Sequence, residues 1–158
     1  MNVVIASDKS GFPLKEAVKK HLLGKGYTVF DVGQQSADEA TVTHIDAARE
    51  LSRAMKDGKS EKGIIFCGTG AGASMSVNKI KGMYCVACES MFSAPKISII
   101  NNANVLAMGA RIVGPENGCE MAETFLNESF AHDFGAERKQ TVETLYKDMV
   151  QLESENFK

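Results

Sequence analysis

Gly63-Ile64-Ile65-Phe66-Cys67-Gly68-Thr69-Gly70-Ala71-Gly72-Ala73-Ser74 decides how this chain is read. An uncharged, apolar run passes through alternating glycines into small residues that can open a helix. Continuous apolar runs are what strands buried on both sheet faces require. Four further short runs share the character: Val3 to Ala6, Tyr27 to Val32, Met83 to Cys88 and Asn104 to Met108. Helix-period segments separate them. Phe12 to Leu23 sets Leu14, Ala17, Val18, His21 and Leu22 on one face, with Pro13 in the first turn and Gly24 and Gly26 as a stop. Thr43 to Met55 repeats the pattern with Ile45, Ala48, Leu51 and Met55, and Pro115 opens another helix running to Phe130. From about Glu137 to Glu153, Val142, Leu145, Tyr146, Met149 and Leu152 recur at helical spacing. Strands alternating with helices of this length predict a parallel sheet with helices on both faces. The last helix runs past the fifth strand–helix unit, so it is expected to extend toward a partner subunit.

Composition narrows the function. The 158 residues amount to about one domain, with no linker or repeat, so 1–158 is expected to be a single domain. Lys+Arg 18 against Asp+Glu 20 leaves no basic excess for a nucleic-acid backbone. No apolar run approaches the roughly 20 residues of a membrane span. The N-terminus reads as a strand rather than a signal peptide, and four scattered cysteines fit a reducing, cytoplasmic setting. Only three histidines are present: His21, His44 and His132.

Ligands of open parallel sheets bind beyond the carboxyl ends of the strands. The residues that follow the five runs are Ser7-Asp8-Lys9-Ser10-Gly11, Gly33-Gln34-Gln35-Ser36, Cys67 to Ser74, Glu89-Ser90 and Gly109-Ala110-Arg111. Asp8, Lys9, Cys67, Thr69, Glu89 and Arg111 are thus expected on one rim. The glycine-rich loop lets successive N–H groups point at an anion or a developing oxyanion. Cys67 there is either a base or nucleophile with its thiolate favoured, or a buried strand-end thiol that packs like a small hydrophobe. Gly68-x-Gly70-x-x-Ala73 with Glu89 also approximates a dinucleotide fingerprint, though it starts on the third strand. Cys85 and Cys88 fall within a strand, where residues three apart face opposite ways, so they read as core rather than as a redox or zinc pair. The methionines at 55, 75, 83, 91, 108, 121 and 149 read as core filling.

At these same positions the chain resembles the family of ribose-5-phosphate isomerase B and galactose-6-phosphate isomerase, from residue 1 to about 142. Ser7-Asp8-Lys9-Ser10-Gly11-Phe12 resembles its Ser-Asp-His-Ala-Gly-Phe opening. Cys67-Gly68-Thr69-Gly70-Ala71-Gly72 is similar to its Cys-Gly-Thr-Gly-x-Gly, with Asn78-Lys79 downstream. Asn101 to Arg111, continued by Ile112-Val113-Gly114-Pro115-Glu116, looks like its Asn-Asp-Ala-Asn-Val-Leu-Ala-Leu-Gly-Ala-Arg block. The resemblance implies a Rossmann-like, three-layer α/β/α fold with a five-stranded parallel sheet. It implies a homodimer, or a tetramer, with sites between subunits. It further implies aldose–ketose isomerisation of a sugar phosphate through an enediol, without metal or organic cofactor. Carried over by position, Cys67 would move the proton between C1 and C2. Gly68, Gly70 and Gly72, with Thr69, would hold the enediolate. Asp8 and Asn101 would bind hydroxyls, with Lys9 beside them, and Arg111 the phosphate end.

The departures from that pattern carry as much information. The family's histidine after Asp8 is Lys9, and its ring-opening histidine before Asn101 is Ile100, which cannot transfer a proton. Its Gly-Arg-His-x-x-Arg clamp aligns with Ala136-Glu137-Arg138-Lys139-Gln140-Thr141, so one arginine becomes Glu137 and another Thr141. Arg138 and Lys139 would supply charge from a shifted register. The family's Tyr-Pro before the second helix becomes Thr43-His44, where His44 is either a solvent-facing helix cap or an imidazole restored to the rim. Three functions follow in order: an isomerase of altered specificity, suited to an open-chain sugar or another anionic end; a non-catalytic sugar-phosphate-binding subunit; and a dinucleotide-binding protein.

Overall fold

The computed structural model describes residues 1–157; Lys158, the last residue of the expected domain, lies outside them. Five strands, β1 (Asn2–Ser7), β2 (Thr28–Asp31), β3 (Gly63–Cys67), β4 (Cys85–Ala87) and β5 (Val105–Gly109), form one sheet in the order β2-β1-β3-β5-β4. Every pairing is parallel; β1 and β3 share a register of Val4 with Gly63, and β3 and β5 of Gly63 with Val105. Six helices complete the chain: α1 (Phe12–Gly24), α2 (His44–Lys56), α3 (Ala71–Val77), α4 (Ser93–Asn101), α5 (Pro115–Asn127) and α6 (Ala136–Asn156).

The three central strands bury nearly every residue, which explains their unbroken apolar runs. Alternation along them divides the core. Val3, Ile5, Ile64, Phe66, Leu106 and Met108 face α1, α4 and α5. Val4, Ala6, Ile65, Cys67, Val105 and Ala107 face α2 and α3. Cys85 joins the second core and Cys88 the first, as expected of two cysteines three apart on an extended chain.

Several expectations need correction. β2 and β4 are shorter than their apolar runs, and α5 stops at Asn127, short of Phe130. α4 has no periodic signal in the sequence because it buries Ala94, Ile97, Ser98 and Ile99 around more than one face. Met75 is not core: α3 buries Ala73 and Val77 and leaves Met75 68% exposed. α6 does run past the fifth strand–helix unit, and its inner face packs on its own chain, where Tyr146 meets Tyr84 and Phe130, and Glu153 accepts from the Tyr84 hydroxyl at 3.1 Å. Leu145 and Leu152 of the same helix are 62% and 59% exposed. Among the described residues no helix is long and apolar enough to cross a membrane.

Candidate active site

β1 has β2 on one side and β3 on the other. The chain leaves β1 through α1 on one sheet face and reaches β3 through α2 on the opposite face. A crevice therefore opens above the carboxyl ends of β1 and β3, the switch point where open α/β sheets take their ligands.

Three loops close around it. The Asp8 N–H donates to Phe66 O at 3.2 Å, and Asp8 Oδ1 accepts the Gly11 N–H at 2.8 Å. The Ser7–Gly11 turn is thereby folded over the end of β3. Gly11 presses on that strand so closely that a Cβ would stand 2.3 Å from the Phe66 carbonyl carbon, which only glycine avoids. From the other side, Ala110 N–H donates to Cys67 O at 2.9 Å and Arg111 N–H to Gly68 O at 3.0 Å. Arg111 is thus held over the glycine loop: a Cβ built on Gly68 would lie 3.6 Å from Arg111 Nε and 3.6 Å from Ser10 Cβ.

Cys67 ends β3 at the floor of this crevice, 4% exposed. Its Sγ accepts the Gly70 N–H at 3.1 Å. Gly70 has φ +83°, a left-handed conformation that glycine adopts freely and that turns its N–H back to the sulfur. The expected contribution of a helix dipole is small, since α3 has seven residues. One directed N–H takes its place. Burial pushes the Cys85 thiol up to about 12 and raises Cys88 and Cys119 as well. Thr69, Lys9 and Arg111 are exposed on the loops that border the crevice, and Asp8 is half-buried.

His44 is not the helix cap. Thr43 caps α2, its Oγ1 accepting the Asp46 N–H at 3.1 Å while Asp46 returns a bond to the Thr43 N–H, a capping box. The Thr43 hydroxyl lowers the Asp46 carboxyl pKa. His44 follows as the first helical residue, half-buried, with its ring against the glycine loop. A Cβ on Gly72 would meet His44 Nε2 and Cδ2 at 3.2 Å. The imidazole therefore stands at the rim.

Other expected site residues lie elsewhere. α4 returns from the carboxyl end of β4 to the start of β5, so Asn101 is at the amino edge of the sheet. The five residues of β5 separate that edge from Gly109 at the rim, roughly 15 Å at strand spacing. Glu137 and Arg138 open α6 and are exposed there, with the Arg138 guanidinium 4.4 Å above the Phe134 ring. One chain brings together Asp8, Lys9, His44, Cys67, Gly68, Thr69, Gly70, Gly72 and Arg111, and leaves Asn101, Glu137 and Arg138 apart.

A dinucleotide site is contradicted by strand order. The fingerprint needs its acidic residue on the strand next to the glycine loop, whereas β5 stands between β3 and β4, which carries Glu89 just beyond its end.

Sequence inspection alone misses the residues that carry the segment leading to His44. Gln34 is fully buried; its Nε2 donates to Ser36 O at 2.8 Å and its Oε1 accepts the Val42 N–H at 2.9 Å. Lys15, also fully buried on α1, donates to Gln34 O and to the Asp31 carboxylate. Asp31 in turn accepts from Lys19 at 2.7 Å, the largest cause of the raised Lys19 pKa. Only an unusual burial pattern, a lysine among Leu14, Val18 and Leu22, hints at this network.

A family profile described as ribose/galactose isomerase matches residues 3–145. The chain is 44% identical over 84% of its length to a 4-deoxy-4-sulfo-D-erythrose isomerase of a Clostridium species, covering 83% of that protein. It is 35% identical over 82% of its length to a D-erythrulose-4-phosphate isomerase of Pectobacterium atrosepticum, covering 85% of it. Among solved structures, ribose-5-phosphate isomerase B of Clostridium thermocellum superimposes with a TM-score of 0.82 at 30% identity, over 96% of this chain and 99% of that one.

Proposed function

The chain belongs to the ribose/galactose isomerase family, and from that premise we propose that it interconverts an aldose and a ketose of four carbons bearing an anionic group at C4. The observation that carries this is Cys67 Sγ, held by the Gly70 N–H in the switch-point crevice with Arg111 alongside. A thiolate there takes the proton from the carbon next to the carbonyl and returns it to the neighbouring carbon. Thr69 and the glycine-loop N–H groups stabilise the enediolate between those steps. Asp8 accepts a hydroxyl, and Lys9 and Arg111 attract the anionic end.

Ring size explains the departures. A four-carbon sugar whose O4 is esterified or replaced has no hydroxyl that can close a five-membered ring. It arrives open, so Ile100 in place of the family's ring-opening histidine forfeits nothing. Glu137 and Thr141, where the family's clamp holds arginines, leave fewer cations than a phosphate dianion would use. A singly charged sulfonate suits that deficit, and the relative of 44% identity is named for such a substrate. Asn101 and Arg138 reach a site only if a second copy supplies them, so the working unit is a homodimer.

The test is kcat/KM of the purified chain for 4-deoxy-4-sulfoerythrose, erythrose 4-phosphate and ribose 5-phosphate. Turnover of the four-carbon substrates, with ribose 5-phosphate slower by roughly 100-fold or more, is expected. Turnover of none, with retained binding, would mean a non-catalytic subunit.

A further inference from the structure

Two proton movements make up an aldose–ketose isomerisation, and the rim described so far accounts for one. Cys67 serves the carbon-bound proton. The oxygens exchange a proton too: O1 gains one and O2 loses one. Asp8 holds the Gly11 N–H on Oδ1 and, in the assignment above, a substrate hydroxyl on its other oxygen, and Lys9 and Arg111 offer only donors at neutral pH. The carrier must both give and take a proton, which is what an imidazole does near neutrality.

His44 is held where such a carrier is needed. Ala47 and Ala48 of α2 pack in the same core cluster as Cys67, on the same sheet face. His44 precedes them by three and four residues, so it stands one turn above them, toward the carboxyl rim. Its ring lies on Gly72, at 3.2 Å from where a Cβ would be, at the far end of the loop that cradles Cys67 Sγ. Its placement is fixed from both directions. Behind it, the capping box sets the first turn of α2. Ahead of it, Val42 is tied to the buried Gln34 side chain and accepts the Lys9 N–H at 3.4 Å. Among the described residues, no protein hydrogen bond engages either ring nitrogen, so both are free for a ligand.

Building on the isomerase assigned above, we propose that the His44 imidazole carries the proton between the two substrate oxygens. From an aldose, the Cys67 thiolate removes the C2 proton, the C2–H electrons become the C1=C2 bond, and the carbonyl pair moves to O1. The His44 imidazolium gives O1 its proton. The now neutral imidazole then takes the proton of O2, whose electrons form C2=O2, while the C1=C2 pair takes the proton from Cys67 at C1. Both residues end as they began, and no external oxidant or reductant enters.

The experiment separates carbon chemistry from oxygen chemistry. H44N and G72A are compared with the unaltered chain in D2O on 4-deoxy-4-sulfoerythrose and erythrose 4-phosphate, following isomerisation and deuterium exchange at C2 of recovered aldose. H44N is expected to lose roughly 100-fold in isomerisation while retaining more of its exchange, so that exchange per turnover rises at least tenfold. G72A, whose methyl displaces the ring without removing it, is expected to move the same way to a smaller extent. Isomerisation unchanged in H44N, or exchange and isomerisation falling in equal measure, overturns the assignment. Failure of the unaltered chain to isomerise either sugar overturns the isomerase assignment itself and this one with it.

Discussion

At the carboxyl rim Lys9, Thr69 and Arg111 are exposed; at the amino edge Lys62, Asn78 and Asn104 are saturated by internal hydrogen bonds. The first three stand on loops beyond the carboxyl ends of β1, β3 and β5. At the opposite edge, Lys62 Nζ spends its three protons on Ser98 Oγ at 2.6 Å, Phe125 O at 2.8 Å and Glu128 O at 2.6 Å. Asn104 accepts the Tyr84 N–H and donates to Gly82 O, and Asn78 both donates to and accepts from the Cys85 backbone. A cavity of about 780 Å³ opens at that edge too, lined by Lys62, Ser98 and Glu128, yet its half-buried lysine already has its partners. Space alone does not locate the chemistry. Polar groups left without internal partners do, because leaving them so has no structural benefit.

The contrast can be broken by exchanging effects between the two ends. Cys67→Ala should have the largest effect on rate, a loss of about 1,000-fold in kcat/KM, while thermal unfolding shows a fold that remains intact. Arg111→Gln should raise KM about 10- to 100-fold, the worth of a charge-assisted hydrogen bond to the anionic end, with a smaller change in kcat. Lys62→Met should do the reverse. Three acceptors lose their donor, costing about 1–3 kcal/mol in urea unfolding, with activity per folded molecule unchanged.

A pH experiment sharpens the same comparison at the C-terminal helix. Burial first, then the hydrogen bond to Glu153, pushes the Tyr84 hydroxyl up to about 12, against about 10 in an unfolded chain. Between those values the folded chain holds a proton that the unfolded chain has released. Stability tied to this contact is therefore complete below pH 10 and is lost as pH rises toward 12. Tyr84→Phe should flatten that part of the stability profile. The smallest effect belongs to Glu137→Arg, which restores a cation at an exposed position and should shift preference toward phosphate over sulfonate by a few-fold at most.

Much of the rim is legible in the sequence because its features are local. The run from Gly63 to Cys67, the glycines after it and the small residues of α3 are consecutive. So are Ser7 to Gly11 and Gly109 to Arg111, and a parallel sheet sends all three segments to one edge. What stays hidden depends on distant partners. Lys15 is buried because Asp31, sixteen residues away, neutralises it. His44 faces Gly72 because α2 crosses to the far sheet face, which no spacing in the sequence reveals. Asn101 looks like part of the same site as Cys67 until strand order sends α4 back to the amino edge. Met75 and Ile45, 68% and 52% exposed on α3 and α2, look like core by type alone.

The central claim is that Cys67 moves the carbon-bound proton, and solvent deuterium at C2 of recovered aldose reads that transfer directly. The unaltered chain should wash deuterium into 4-deoxy-4-sulfoerythrose, and Cys67→Ala should wash in none above the uncatalysed rate. Exchange that persists undiminished in Cys67→Ala would contradict the account.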